Sequence, residues 1–248
     1  MSPGSAGPDG IVRLPLDSPN QSAYNPRIVK GRVMSNVRKF LQKRQAKGYI
    51  SRLERAILPF VYMIIYMRWF SILEDAHRHD YVVMHLAVDD HIPFVEAFII
   101  PYYLWFIYVF LTTAFLVLLR RSEDFYRAMM FMGIGMTFFL VFSTFVPTEQ
   151  TLRPALMPAD NVFTRLIAGL YVADTPTNVF PSIHVYNSIA CAIALCRTKT
   201  LERFPFVRAG ACLLSGAIIL STMLIKQHSV IDVAGAFVLA FMFKIRNK

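Results

Sequence analysis

Phe180-Pro181-Ser182-Ile183-His184 and Gln227-His228, the latter followed four residues later by Asp232, each open a long apolar segment. Both histidines are therefore expected where a membrane helix meets water. Residues i and i+4 share a helix face, so the Asp232 carboxylate can accept a hydrogen bond from one imidazole nitrogen of His228. That bond fixes the tautomer and leaves the other nitrogen as a nucleophile or a base. His184 lies one turn after Pro181, at the mouth of a different helix. The amides around Ser182 to His184 are unpaired donors at a positive helix end, a site for a phosphate oxygen. His184 can then protonate a leaving oxygen. Arg153, in Thr148-Glu149-Gln150-Thr151-Leu152-Arg153-Pro154, offers a planar fork for two phosphate oxygens. The layout suits phosphoryl transfer. Asp232 is the hardest of these residues to read as incidental, because an ionisable group inside an apolar helix costs about 3 kcal/mol without a purpose.

Composition agrees with a membrane setting. Hydrophobic residues make up 55% of 248, more than a soluble domain carries, and they fall in blocks, several long enough to cross a hydrocarbon core of about 30 Å. The formal charge of +10 is distributed in a way that excludes nucleic acid as the partner. Eleven of the 26 Lys and Arg precede residue 56, and most others flank apolar blocks. That pattern belongs to membrane topology and anionic lipid headgroups. Cys191, Cys196 and Cys212 all lie in apolar segments and form no CxxC or Cys/His cluster, so they are read as packing residues. Residues 1–35 contain no apolar h-region, so no cleavable signal peptide is expected and the first span is the targeting signal.

The expected fold is all-α, a polytopic membrane protein. Residues 1–35 read as a disordered cytoplasmic tail. Over 36–55, Arg38, Lys39, Lys43, Arg44, Lys47, Arg52 and Arg55 alternate with apolar residues at helical spacing, the pattern of an amphipathic helix lying on anionic lipid. Residues 56–248 then form a six-helix membrane domain, with spans at about 56–73, 92–119, 125–146, 181–196, 208–225 and 229–243. Asp89 and Asp90 are read as capping the second span, and Pro101 as kinking it. The fourth and sixth spans are short, as suits helices whose ends line a wet cavity.

Loop charges orient the domain in the cell membrane. With a cytoplasmic N-terminus, the connections 120–127 and 197–208 and the C-terminal tail carry ten cations. The opposite face has only Arg68, Arg78, Arg153, Arg165 and Lys226. The positive-inside rule is satisfied, both termini are cytoplasmic, and the histidine motifs face away from the cytoplasm. The cations left near those motifs, against that rule, call for an anionic substrate.

The order Arg-Pro, Pro-Ser-x-His, then Ser221 through His228 to Asp232 resembles the three-part signature of the type 2 phosphatidic acid phosphatase family. The resemblance implies six membrane helices and a site that uses neither metal nor cofactor. It implies that His228 is the nucleophile, forming a phosphohistidine, that Asp232 orients it, and that His184 is the general acid. The substrate it implies is a membrane lipid with a phosphate headgroup, hydrolysed as a monoester or diphosphate. Two positions depart from the pattern: Val146 stands where the family's first motif has Lys, and Thr222 where its third has Arg. Lys226 and Arg165 are the candidates to supply the missing phosphate-binding cations beside Arg153 and Ser182. Relaxed first and third motifs also resemble the lipid phosphotransferases, the sphingomyelin and inositol phosphorylceramide synthases. A non-catalytic homologue or a transporter is the remaining alternative. The sequence leaves the oligomeric state open.

Residues 74–91 gather His77, His79, His85 and His91 with Glu74, Asp75, Asp80, Asp89 and Asp90. His77 and His79, at i and i+2, do not face one another on a helix, so this stretch reads as a solvated loop and not as a metal site. Glu96 and Tyr102, in the second span, suit either a contact with the site or the roles of a helix N-terminal acid and an interface aromatic, and neither reading is preferred.

Overall fold

A computed structural model of the chain describes residues 52–76, 80–119 and 122–246. The tail at 1–35 and most of the basic stretch at 36–55 lie outside the described residues. Seven α-helices are present among those described: α1 (Arg52–Asp75), α2 (Ile99–Leu118), α3 (Ser122–Phe145), α4 (Val162–Ala173), α5 (Ile183–Arg197), α6 (Pro205–Leu224) and α7 (Val230–Arg246). The helices fall on all six apolar stretches, and α4 is an addition. Four helical segments, Glu54–Asp75, Glu96–Leu118, Glu123–Phe145 and Pro205–Leu224, are long and apolar enough to cross a membrane. The helices behind the two histidine motifs are shorter, roughly 22 and 26 Å at the usual rise per residue.

Local sequence explains most of the boundaries. Pro205 occupies the first turn of α6, where its missing N–H removes no helical bond. The second stretch starts later than its apolar run. A 3-10 turn at Glu96–Phe98 precedes α2, which puts Pro101 in the first turn of the helix instead of at an internal kink. Asp89 and Asp90 lie too far upstream to cap α2. α4 lies between the third and fourth expected spans, and Asn161 opens it with a reciprocal capping box: its Oδ1 accepts from Thr164 N at 3.0 Å, while Thr164 Oγ1 accepts from Asn161 N at 3.0 Å.

α5 is the helix around which the rest packs, against α6, α3, α7 and α2. Its Val185, Tyr186, Ala190 and Cys191 form one core cluster with Phe131, Ile218 and Ala236. The outward faces of the long helices are apolar instead of polar, with Phe60, Phe110 and Leu213 exposed, as expected where lipid replaces water. Two glycines permit unusually close approach. A Cβ on Gly135 would lie 2.0 Å from Tyr186 Cε1, and one on Gly235 would lie 2.3 Å from Phe180 Cε2. Small residues let membrane helices pack this tightly without a hydrophobic driving force between them. The Tyr186 ring stacks on Phe131, and its hydroxyl donates to Phe131 O at 2.8 Å.

The helix ends and loops near the mouths of α5 and α7 form a second layer. Two short parallel strands, β1 (Val82–Val83) and β2 (Thr148–Glu149), lie within an otherwise helical fold. The buried Thr148 Oγ1 accepts from Val179 N at 3.0 Å and Phe180 N at 3.2 Å, fixing the approach to α5. Gln150 Nε2 donates to Lys226 O at 3.1 Å and so reaches the turn before α7. Glu74, at the end of α1, accepts from Asn178 Nδ2 at 2.8 Å and bonds Thr175.

The glycine contacts predict a contrast in stability. Gly135→Ala should destabilise the detergent-solubilised protein by about 1–3 kcal/mol, because the Tyr186 ring must move. Gly216→Ala, at a position with nothing within 4 Å, should leave the thermal midpoint unchanged or raise it. Thermal melts of the two variants in one detergent check both outcomes.

Candidate active site

The starts of α5 and α7 come together. The Ser182 amide donates to Asp232 O at 3.2 Å, and the Ser182 side chain caps α5 by accepting from Val185 N at 3.4 Å. The amide of Ser182 is therefore not the free phosphate donor expected from its place before the helix. On α7, His228 Nδ1 lies 3.3 Å from Asp232 Oδ2, and the same oxygen accepts from Ser229 N at 3.0 Å. The Asp232 side chain is fully buried, with Oδ1 unpartnered. The i, i+4 relation foreseen on one helix face is present, with His228 just ahead of the first turn of α7.

His184 faces His228 across the two helix mouths, the ring centroids 5.7 Å apart and inclined by 55°. That spacing lets one phosphate ester touch both rings. Three aromatic side chains of α2 surround His184, Tyr102 at 4.7 Å, Trp105 at 4.4 Å and Phe106 at 6.4 Å between centroids. Tyr102 thus belongs to the wall of the site. Glu96 does not: its Oε1 accepts from Asn161 Nδ2 at 3.2 Å.

Arg153 is the cation that the structure brings to this region. Its Nη1 donates to Tyr171 O at 3.1 Å, and its Nη2 donates to Asp174 O at 2.7 Å and Gln227 Oε1 at 2.6 Å. Its guanidinium also lies over the Tyr171 ring, 4.4 Å from the centroid. Three of five N–H groups are engaged, and Nε is buried without a partner. Gln227 Nε2 donates in turn to Asp174 Oδ2 at 3.1 Å, and the Tyr102 hydroxyl donates to the same oxygen at 3.2 Å. Arg153, Gln227, Asp174 and Tyr102 therefore form one chain running from the third-motif turn to the wall behind His184. Burial lifts the Asp174 carboxyl above the ordinary carboxylate range, with His228 and Arg153 pulling the other way. Burial likewise lowers the Arg153 guanidinium, and Asp174 opposes that shift.

The other two candidate cations are directed elsewhere. Lys226 Nζ donates to Asp89 O at 2.8 Å and Ile92 O at 2.6 Å. Arg165 makes a two-toothed pair with Asp160, at 2.8 and 3.0 Å, and its side chain is 70% exposed. In the acidic, histidine-rich stretch, His85 Nε2 lies 2.9 Å from Asp90 Oδ1, and His91 Nδ1 lies 3.0 Å from Ala87 O; His77 and His79 lie outside the described residues. Asp89, placed in that stretch by the sequence, is instead buried against the turn that carries His228. It accepts from Ser229 Oγ at 2.5 Å, Val230 N at 2.8 Å and Leu86 N at 2.8 Å.

Neither curated proteins nor solved structures give a match to this chain. The family model of the PAP2 superfamily matches residues 68–245. That range spans well over half of the 248 residues and includes Arg153, Ser182, His184, His228 and Asp232. With phosphatase-type motifs lying at helix mouths in a bundle of apolar helices, the chain belongs to the PAP2 superfamily.

Proposed function

We propose that the protein is an integral membrane lipid phosphatase that crosses the bilayer six times. In this reading it hydrolyses a lipid phosphate monoester or diphosphate at the extracytoplasmic face of the cell membrane. The observation that carries the reading is the meeting of His228, held by Asp232, with His184 from another helix. The short α5 and α7 support it too, since helices that begin below the headgroups leave room for a lipid's phosphate while its tails stay in the bilayer. In this reading the charge of the basic stretch at 36–55 suits anionic lipid headgroups as a partner.

The proposed sequence of steps balances without metal or cofactor. Asp232 holds the proton on Nδ1, so Nε2 of His228 attacks phosphorus in line. The P–O bond to the lipid breaks, and His184 delivers its proton to the leaving oxygen. Water then attacks the phosphohistidine, gives its proton to His184 and releases phosphate, restoring both histidines. Arg153 holds non-bridging oxygens with Nε and its unused Nη1 hydrogen, beside the Ile183 and His184 amides, first-turn donors without helical acceptors. Ser182 caps α5 and aligns those donors.

A second reading, a lipid phosphotransferase, is favoured by the charges. Lys226 and Arg165 are engaged by other acceptors, while Asp174 and Asp232 border the site beside Arg153. A phosphodiester carries one negative charge and needs less cationic support than a monoester dianion. In that case an acceptor hydroxyl replaces water in the second step.

Purified protein in mixed micelles, given phosphatidic acid or phosphatidylcholine with and without ceramide, separates the two readings by mass spectrometry. Free phosphate and diacylglycerol from phosphatidic acid, with no new phospholipid, support hydrolysis; a ceramide-dependent phospholipid with no free phosphate supports transfer. In either case His228→Ala should abolish turnover. His184→Ala should slow lipid turnover by about 100-fold or more, and much less with p-nitrophenyl phosphate, whose leaving oxygen needs no proton. Arg153→Ala should cost about 3 kcal/mol in kcat/KM, the scale for one lost transition-state donor; steady-state kinetics check both values.

A further inference from the structure

The turn that carries His228 is held from a distant part of the chain. Asp89 lies in the loop before α2, with a 3-10 turn at Asp89–His91. Its Oδ1 accepts from Val230 N, the first amide of α7, at 2.8 Å, and its Oδ2 accepts from Ser229 Oγ at 2.5 Å and Leu86 N at 2.8 Å. Ser229 then reaches the catalytic pair: its amide donates to Asp232 Oδ2, the oxygen that also faces His228 Nδ1. Ser229 Oγ accepts in return from Ile231 N at 3.2 Å. Ser229 therefore links two buried carboxylates, one on each side of the His228 turn.

The other side of the turn is tied to the same loop. Lys226 Nζ donates to the carbonyls of Asp89 and Ile92, and the Val95 amide donates to Leu224 O at 3.0 Å. Lys226 adopts a left-handed backbone conformation, φ 56°, which a residue with a Cβ takes up only when its surroundings hold it there. Its carbonyl is held by Gln150 and its ammonium by the 89–92 loop. The backbone is thus turned sharply just before His228 and clamped after it.

The geometry points to Asp89 as a positioning residue for the phosphoryl-transfer reaction: acting through Ser229 and the Val230 amide, it sets the His228 imidazole against Asp232 and His184. This inference rests on the phosphohistidine reading of His228. Lys226, read from sequence as a phosphate-binding cation, serves the same clamp. Asp89 makes no contact with the reacting atoms, and its effect is on how often the nucleophile stands in line.

The test uses the purified full chain in mixed micelles with phosphatidic acid, measuring kcat and KM together with the thermal midpoint. Displacing a nucleophile by an ångström or less costs about 100-fold, so Asp89→Ala should lower kcat by about that factor and Ser229→Ala by less. KM should stay within about 2-fold, since the bonds lost are not made to substrate. Asp89→Asn, which keeps an oxygen for the Val230 amide, should recover part of the loss. In the double variant the loss should not exceed that of Asp89→Ala alone, because the two residues act in series. Should Asp89→Ala fail to fold, Ser229→Ala decides the matter, since it leaves Asp89's bonds to Val230 and Leu86 in place. Wild-type kcat in Ser229→Ala, or losses that multiply in the double variant, overturn the role of Asp89 while leaving a His228-dependent activity intact. Phosphate release that survives His228→Ala overturns the phosphohistidine reading and the assignment with it.

Discussion

The amide of Ser182 meets the carbonyl of Asp232 at 3.2 Å, joining the mouths of two helices whose sequences are separated by an entire further helix. Each motif alone carries only half of the candidate site: α5 brings His184, and α7 brings Asp232 to the His228 just before it. Holding the two starts together fixes the two imidazoles relative to one another, so that no orientational freedom between them has to be removed when a ligand binds. The same bond has a cost, since it occupies an amide that an open helix mouth would have offered to phosphate. In the proposed reading, Arg153, with Nε unpartnered, and the next two amides of α5 take up that task.

Around this junction, packing and polarity divide the work. Tyr186 against Gly135 and Phe180 against Gly235 bring α3, α5 and α7 into near-backbone contact. A methyl group at either glycine would force an aromatic ring to move, so the geometry at the helix mouths depends on positions that carry no chemistry. The loop layer supplies the rest. Thr148 fixes the approach to α5, and Asp89 fixes the start of α7. Arg153, Gln227, Asp174 and Tyr102 link the third-motif turn to the aromatic wall behind His184. Buried polar chains of this kind hold a single arrangement because leaving any member unpaired in a low-dielectric interior is expensive.

The places of His184, His228 and Asp232 at two helix mouths were legible in sequence because they obey local rules. His228 and Asp232 are related by helix periodicity, and His184 is placed by its distance from Pro181. Apolar block length located the helices on all six stretches. What was not legible depended on contacts remote in sequence. Asp89 lies 140 residues from Ser229, and in sequence it stood with Asp90 as a cap of the second span, with nothing to separate the two. The direction of the Lys226 side chain is decided by carbonyls more than 130 residues away, so charge alone suggested a phosphate ligand where the fold uses a strut. α4 was a different case: Asn161 and Thr164 stand at capping-box spacing, but Thr164 in place of the usual Glu or Gln makes the local signal weak.

The central claim is that His228 is the nucleophile, with its Nδ1 held by Asp232 and its Nε2 free to attack. Rapid quenching at alkaline pH during turnover, followed by peptide mass spectrometry and comparison with the two phosphohistidine isomers, tests it directly. The account predicts a single phosphorylated peptide containing His228, with phosphorus on Nε2. Phosphate on Nδ1, on Ser229 or on His184 would contradict it.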